Sequence, residues 1–210
     1  MTQTLTLSEI TQRLADMPSG RRLVAVVGAP GSGKTTLAEA LADGLNVAVP
    51  GRAAVVPMDG FHLDDGVLRD LGLLSRKGSP DTFDAAGLDH LLGRLRVQDE
   101  APIAIPLFDR GLEISRAGAR LIPSDTDILM IEGNYLLLDR APWDGLHRHF
   151  DLTVMLDVPE DLLRDRLLAR WRDFGYPPDE AARKAEANDL PNGATVRHHS
   201  RPADFVLLQG

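Results

Sequence analysis

Short apolar runs alternate along the chain with longer stretches in which apolar residues recur every three or four positions. Leu23 to Val27 reads as a strand buried on both faces, and so do Ala53 to Val56, Ile128 to Ile131, Leu152 to Leu156 and Phe205 to Leu208. Helical patterns fill the gaps. One runs from Lys34 to Leu45, and a second sets Leu88, Leu91, Leu92 and Leu95 in one stripe behind Asp84 as its cap. Pro159 opens a third, Glu160 to Phe174, with Leu162, Leu163 and Leu167 as its apolar face, and a fourth covers Pro178 to Ala187. Ser8 to Met17 forms a short amphipathic helix ended by Pro18-Ser19-Gly20. This alternation predicts an α/β fold: a parallel sheet of five strands with helices on both faces, in three layers.

No internal repeat, low-complexity tract or linker interrupts the 210 residues, which predicts one domain over 1–210 with its N-terminal helix within 1–20. Composition narrows the chemistry. The chain has no cysteine, which excludes disulfides, thiol catalysis, zinc–thiolate sites and iron–sulfur clusters. Its 23 basic and 31 acidic residues leave a net charge of −8, so a broad nucleic-acid-binding face is not expected. No run approaches the roughly 18–20 apolar residues of a membrane span. Met1 to Leu14 lacks a charged start followed by an apolar block. A cytoplasmic protein is expected.

The strongest chemical signal follows the first long strand. Gly28-Ala29-Pro30-Gly31-Ser32-Gly33-Lys34-Thr35 fits G-x-x-x-x-G-K-[ST] completely, between a strand and a helix. Glycines let consecutive backbone N–H groups turn onto phosphate oxygens, and the helix N-terminus adds its positive end. Lys34 supplies a point charge to the β- and γ-phosphates, and the Thr35 hydroxyl enters a Mg2+ shell, with Thr36 beside it. Glu132 ends the Ile128–Ile131 strand, where the acid that completes the magnesium site belongs, although aspartate is commoner there.

Asp59 sits at the carboxyl end of the second run, the edge where open α/β sheets bind ligands. A kinase acting on a hydroxyl needs a carboxylate there to take the proton, and Asp59 is the candidate. A turn-forming Asp-Gly pair is the plainer alternative for Asp59-Gly60. His62 either lines the acceptor pocket or is packed or exposed. His198-His199 lacks metal-ligand spacing and reads as a surface pair, and Asp64-Asp65 reads as a helix start. On the helix after Pro159, Arg166 and Arg170 share a face. They either close over the transferring phosphoryl group or form i, i+4 surface pairs with Asp161, Asp165 and Asp173.

With these residues in view, the chain resembles the phosphoribulokinase/uridine kinase/pantothenate kinase group of P-loop kinases. Met58-Asp59-Gly60-Phe61 is similar to the strand-end D-G-F of pantothenate kinases and the D-S-F of uridine kinases, which implies a general-base role for Asp59. Arg76-Lys77-Gly78-Ser79-Pro80-Asp81-Thr82-Phe83-Asp84 is similar to the K-G-x-P-x-x-[FY]-D segment of pantothenate kinases. Pro106-Leu107-Phe108-Asp109-Arg110 stands where uridine kinases carry P-x-Y-D-F, and Ile131-Glu132-Gly133-Asn134-Tyr135 matches the group's E-G motif, where Glu is usual. Over about Ser19 to Leu208 the combination, with Asn188-Asp189-Leu190-Pro191-Asn192-Gly193, resembles bacterial proteins labelled fructokinase or fructose transport system kinase.

The resemblance implies ATP and Mg2+ as cofactors, and a sheet bearing a small lid over about residues 159–187. It implies acceptor-side roles for Asp59, Phe61, His62, Arg76, Lys77, Phe108, Arg110, Glu132 and Tyr135. It also implies a place near the nucleotide base for Asn188, Pro191 and Asn192, where a helix end and loop is the plainer alternative. A homodimer, common in the group, is carried over by analogy. The expected activity is phosphoryl transfer to a hydroxyl of a small metabolite, most simply a sugar such as fructose. Nucleoside or pantothenate-like acceptors and a nucleotide-switched ATPase are the alternatives. Neither the N-K-x-D of guanine switches nor the L-S-G-G-Q of transporter ATPases is present.

Overall fold

The computed structural model of the chain describes residues 3–97 and 102–208. Its strands are β1 (Gln3–Thr4), β2 (Arg22–Gly28), β3 (Ala53–Pro57), β4 (Ile103–Asp109), β5 (Ile114–Ile122), β6 (Ile128–Gly133), β7 (Leu152–Asp157) and β8 (Phe205–Leu208). The α-helices are α1 (Leu7–Ala15), α2 (Lys34–Ala48), α3 (Asp65–Asp70), α4 (Ala85–Val97), α5 (Glu160–Asp173), α6 (Pro178–Lys184) and α7 (Leu190–His199).

The five expected runs form a parallel sheet, and a sixth strand joins its edge, in the order β1-β8-β7-β2-β6-β3. That edge strand corrects the expected count. It is two residues long, pairing Gln3 with Phe205 and Thr4 with Val206, too short for any period to reveal. Residues of β2 alternate between two cores. Leu23, Ala25 and Val27 pack with α4 on one face, and Val24 and Val26 pack with α1 and α2 on the other. Burial on both faces explains why the strand carries no polar alternation.

A second, antiparallel sheet of β4 and β5 was not expected. Its outer strand is largely exposed, with Ser115, Arg116 and Arg120 breaking up its apolar residues, so it lacks the apolar run that marks a core strand. Pro106 interrupts β4, and the register shifts between Ile105 and Leu107, because proline brings no N–H to the ladder. Asp109 closes the hairpin by accepting from the N–H groups of Gly111 and Leu112, both at 3.1 Å.

The end of the chain is also more continuous than expected. The helix expected to stop at Ala187 runs from Pro178 to His199 through a π-helical turn, Ala185–Asp189. Pro191 has no N–H to offer the Ala187 carbonyl and its ring crowds that group, so the turn widens where the sequence pattern suggests an end.

Candidate active site

The loop between β2 and α2 is built to receive an anion. Gly31 and Gly33 hold φ of 79° and 90°, which side chains rarely tolerate. A Cβ on Gly31 would press on Leu167 of α5. Gly33 caps α2 without a side-chain hydrogen bond, so the first N–H groups of this 15-residue helix have no side-chain cap. Ser32 is fully buried beneath the loop and its hydroxyl has no partner.

Register brings the acid to this loop. Glu132 stands opposite Val26 of β2 on one side and Pro57 of β3 on the other. It is 4% exposed. Burial pushes its carboxyl above the ordinary range, opposed by the Lys34 ammonium, while the nearby Asp59 charge pushes the same way and the Thr35 hydroxyl hydrogen-bonds to it. One carboxylate, one hydroxyl and a cradle for phosphate oxygens match how Mg2+ is held when a nucleotide supplies the remaining ligands. Among the described residues no cluster of His, Asp and Glu could hold a metal by itself.

Asp59 lies in the turn after β3, within a single 3-10 turn, Met58–Phe61. Gly60 is required there for space: a Cβ would overlap the Pro106 carbonyl of β4, so the glycine lets the hairpin close on the turn. Arg110, on the hairpin, donates to Asp59 Oδ2 at 2.6 Å. A cavity of about 530 Å³ extends from Lys34 and Pro30 past Asp59, His62, Phe108 and Arg110 to Arg170 and Trp171 on α5.

His62 lines this cavity, stacked on Phe83 with ring centroids 4.0 Å apart and tilted against Phe108 at 4.8 Å. Burial lowers its pKa to about 4, so it is neutral near pH 7. Lys77 also lines the cavity, but its ammonium is engaged by Asp65 Oδ1 at 2.6 Å and the Glu113 carbonyl at 2.9 Å, over the Phe108 ring at 5.2 Å. Arg166 donates to the Ser32 carbonyl at 3.2 Å, and Arg170 to Asp189 at 3.2 Å. Both arginines face inward from α5.

The structure therefore brings Lys34, Asp59, His62, Lys77, Phe108, Arg110 and Arg170 to one cavity, with Glu132 close to Lys34 and Asp59 and hydrogen-bonded to Thr35. Other expected residues lie elsewhere. Tyr135 is fully buried in the core, and its hydroxyl donates to the Gly78 carbonyl at 2.6 Å, so it supports the 77–79 segment from below. Phe61 packs against the core, and Arg76 and Thr36 are exposed. Asn188, expected near the base, lines the same cavity as Asp59 and donates to the Lys77 carbonyl at 2.7 Å. Asn192 is buried and donates to Asn188 at 3.3 Å, and Pro191 is exposed. On the outer side of the loop, a separate cavity of about 170 Å³ is lined by Ala29, Leu156, Val158, Leu163, Gly193 and Val196 among others. His198 and His199 are exposed, and Asp64 caps α3 by accepting from the Gly66 N–H at 2.7 Å, as the sequence suggests.

Sequence reasoning missed Trp171, Asp189 and Glu113. The signal for Trp171 is its place beside Arg170 on the arginine helix, and that for Asp189 is the acid inside the Asn188–Gly193 motif.

A phosphate-binding turn, a buried acid beside it and a carboxylate across a shared cavity define a P-loop phosphotransferase that acts on the hydroxyl of a small molecule. Residues 23–176 match the model of the phosphoribulokinase/uridine kinase family, and the chain belongs to that family. It is similar to a crystal structure from Silicibacter sp. TM1040 carrying the provisional name fructose transport system kinase, with 42% identity and a TM-score of 0.89 over 96% of this chain and 98% of that one. It is 31% identical to YggC of Escherichia coli, covering 90% of this chain and 78% of that protein. A Schizosaccharomyces pombe protein provisionally named a uridine kinase is 29% identical, covering 90% and 83% respectively.

Proposed function

We propose that the chain moves the γ-phosphoryl group of ATP to a hydroxyl of a small sugar such as fructose. The observation that carries this is the shared cavity: Lys34 at one end and Asp59 beyond it line one continuous space, with Arg170 on its lid side. The sugar is favoured by the likeness to the Silicibacter protein, 42% identical over nearly the whole of both chains. A nucleoside acceptor is the second reading, favoured by the aromatic walls that His62, Phe108 and Trp171 give the cavity.

Lys34 and the uncapped N–H groups of α2 hold the phosphates and stabilise charge gathering on the leaving β-phosphate oxygen. Thr35 and Glu132 would hold Mg2+, which when bound neutralises charge shared by the β- and γ-phosphates. Asp59 takes the proton of the attacking hydroxyl; the new bond forms from that oxygen to the γ-phosphorus while the β–γ bridging bond breaks. Arg110 orients the Asp59 carboxylate through Oδ2. Arg166 and Arg170 close over the phosphoryl group, and the lid segment excludes water, which suppresses idle hydrolysis. The purine enters the smaller, mainly apolar cavity beside Ala29.

The test is ADP release measured over D-fructose, other sugars, uridine, cytidine and pantothenate. Acceptor-dependent release with one phosphoester formed per ADP is expected with a sugar. Uridine or cytidine as the preferred acceptor would establish the second reading. Steady release independent of every acceptor would overturn both in favour of a nucleotide-driven ATPase.

A further inference from the structure

Helix α5 delivers Trp171 to the wall of the larger cavity one residue after Arg170. Its indole Nε1–H donates to Asp189 Oδ2 at 2.6 Å. The other oxygen of that carboxylate, Oδ1, accepts from Arg170 Nη2 at 3.2 Å. Asp189 is only 8% exposed, so these two donors answer a charge that would otherwise be costly to bury. One acid thus ties together two side chains that line the larger cavity, the guanidinium of Arg170 and the indole of Trp171. Trp171 is held by its neighbours as well: Phe174 and Tyr176 meet it edge-on at centroid distances of 5.8 and 5.4 Å, and the Arg170 guanidinium and Lys184 ammonium lie over its ring at 5.2 and 4.7 Å.

The π turn explains how Asp189 reaches α5. The extra residue in the turn changes the direction of Asn188 and Asp189 relative to a regular helix. Asn188 reaches across the cavity to the Lys77 carbonyl, and Asp189 turns back to Trp171 and Arg170. Gly193, one turn on, lets α7 approach the phosphate loop, since a Cβ there would meet that of Ala29 at 3.3 Å. The Asn188–Gly193 motif therefore joins the lid, the segment over the acceptor and the phosphate loop.

Resting on the assignment of this cavity to the acceptor, we infer that Asp189 is a positioning residue that sets Trp171 as the stacking wall for the acceptor and keeps Arg170 in register with it. A held indole offers a rigid apolar face to the ring carbons of a sugar or to a base, with little rotamer freedom left to lose on binding. Asp189 touches neither reacting atom; its effect passes through the two side chains it holds.

The test uses the full chain carrying Asp189→Asn, which keeps shape and removes charge, and separately Trp171→Phe, which keeps a ring and removes the donor. Acrylamide quenching reports Trp171 selectively, because Trp143 is only 1% exposed. In Asp189→Asn the quenching constant is expected to rise about twofold or more as the indole loses its charged acceptor. The KM for the best acceptor of the panel above should rise about tenfold while that for MgATP stays within about twofold. Trp171→Phe should raise the acceptor KM about threefold, with the same MgATP insensitivity. Unchanged quenching together with an unchanged acceptor KM in Asp189→Asn overturns the inference, and so does a loss confined to melting temperature. If the wild-type chain phosphorylates nothing in the panel, the acceptor assignment is what has failed, and the quenching comparison alone then decides whether Asp189 sets the indole.

Discussion

The two ends of the large cavity are assembled by different means. At the phosphate end the groups arrive on consecutive residues, Gly28 to Thr35, held between a fully buried strand and a helix N-terminus, with Glu132 fixed one strand away by register. At the acceptor end Asp59, His62, Lys77, Phe108, Arg110 and Trp171 come from separate turns, a hairpin and a lid helix, joined by side-chain bonds across the space between them. Exposure differs accordingly: Glu132 is 4% exposed, whereas the Asp59 and Arg110 side chains are 24% and 57% exposed. Backbone geometry sets the phosphate end, and partner side chains set the acceptor end. The first kind of site tolerates little variation, and the second can change acceptor by changing contacts at its rim.

Substitutions can break this contrast. The largest effect is expected at the phosphate end, where Lys34→Ala should lower kcat about 10²–10³-fold with every acceptor, since it removes a charge used only as phosphate charge redistributes. ADP release across the acceptor panel checks it, and a loss limited to one acceptor would place Lys34 on the wrong side. At the acceptor end, His62 carries a pH signature. Its pKa is lowered to about 4 in the fold against about 6.5 unfolded, so the unfolded chain binds the proton first as pH falls. Stability contributed by neutral His62 is therefore complete above about pH 6.5 and lost toward pH 4, amounting to about 3 kcal/mol at most. Denaturant melts of the wild type and His62→Gln across that window should converge or cross as pH falls; parallel curves would contradict the burial of the ring.

Smaller effects sharpen the comparison. Gly60→Ala should cost about 1–3 kcal/mol, because its methyl meets the Pro106 carbonyl and must push the hairpin from the Asp59 turn. Thermal melting measures the cost, and the acceptor KM should rise with it while MgATP affinity holds. Tyr135→Phe should cost about 1 kcal/mol for the lost bond to Gly78, raise the acceptor KM only about threefold and leave kcat nearly intact. A collapse of kcat would return Tyr135 to the reacting atoms.

The same contrast governs what could be read from the chain. Five strands, the helices between them and the phosphate loop were legible because periodicity and a contiguous motif are local properties. Glu132 and Asp59 were legible as strand-end acids for the same reason. The β4–β5 hairpin was not, since its exposed outer strand lacks an apolar period, and the edge strand Gln3–Thr4 is too short to show one. The resemblance implies an acceptor-side role for Tyr135 through the Ile131–Tyr135 motif, yet the bend after β6 puts its ring in the core. Pro191 reads as a helix end, whereas the helix absorbs it in a π turn that sets Asn188 at the larger cavity and turns Asp189 to α5, a placement no local pattern shows. Pairings such as Arg110 with Asp59 and Trp171 with Asp189 span distances along the chain that no local pattern encodes.

Asp59 links both ends, and the most direct measurement compares kcat and MgATP affinity in Asp59→Asn. If Asp59 accepts the acceptor's proton, kcat should fall about 10²–10⁴-fold while the calorimetric Kd for MgATP stays within about twofold. Near-normal turnover in that variant, or a loss carried by nucleotide binding, would contradict the assignment of the two ends.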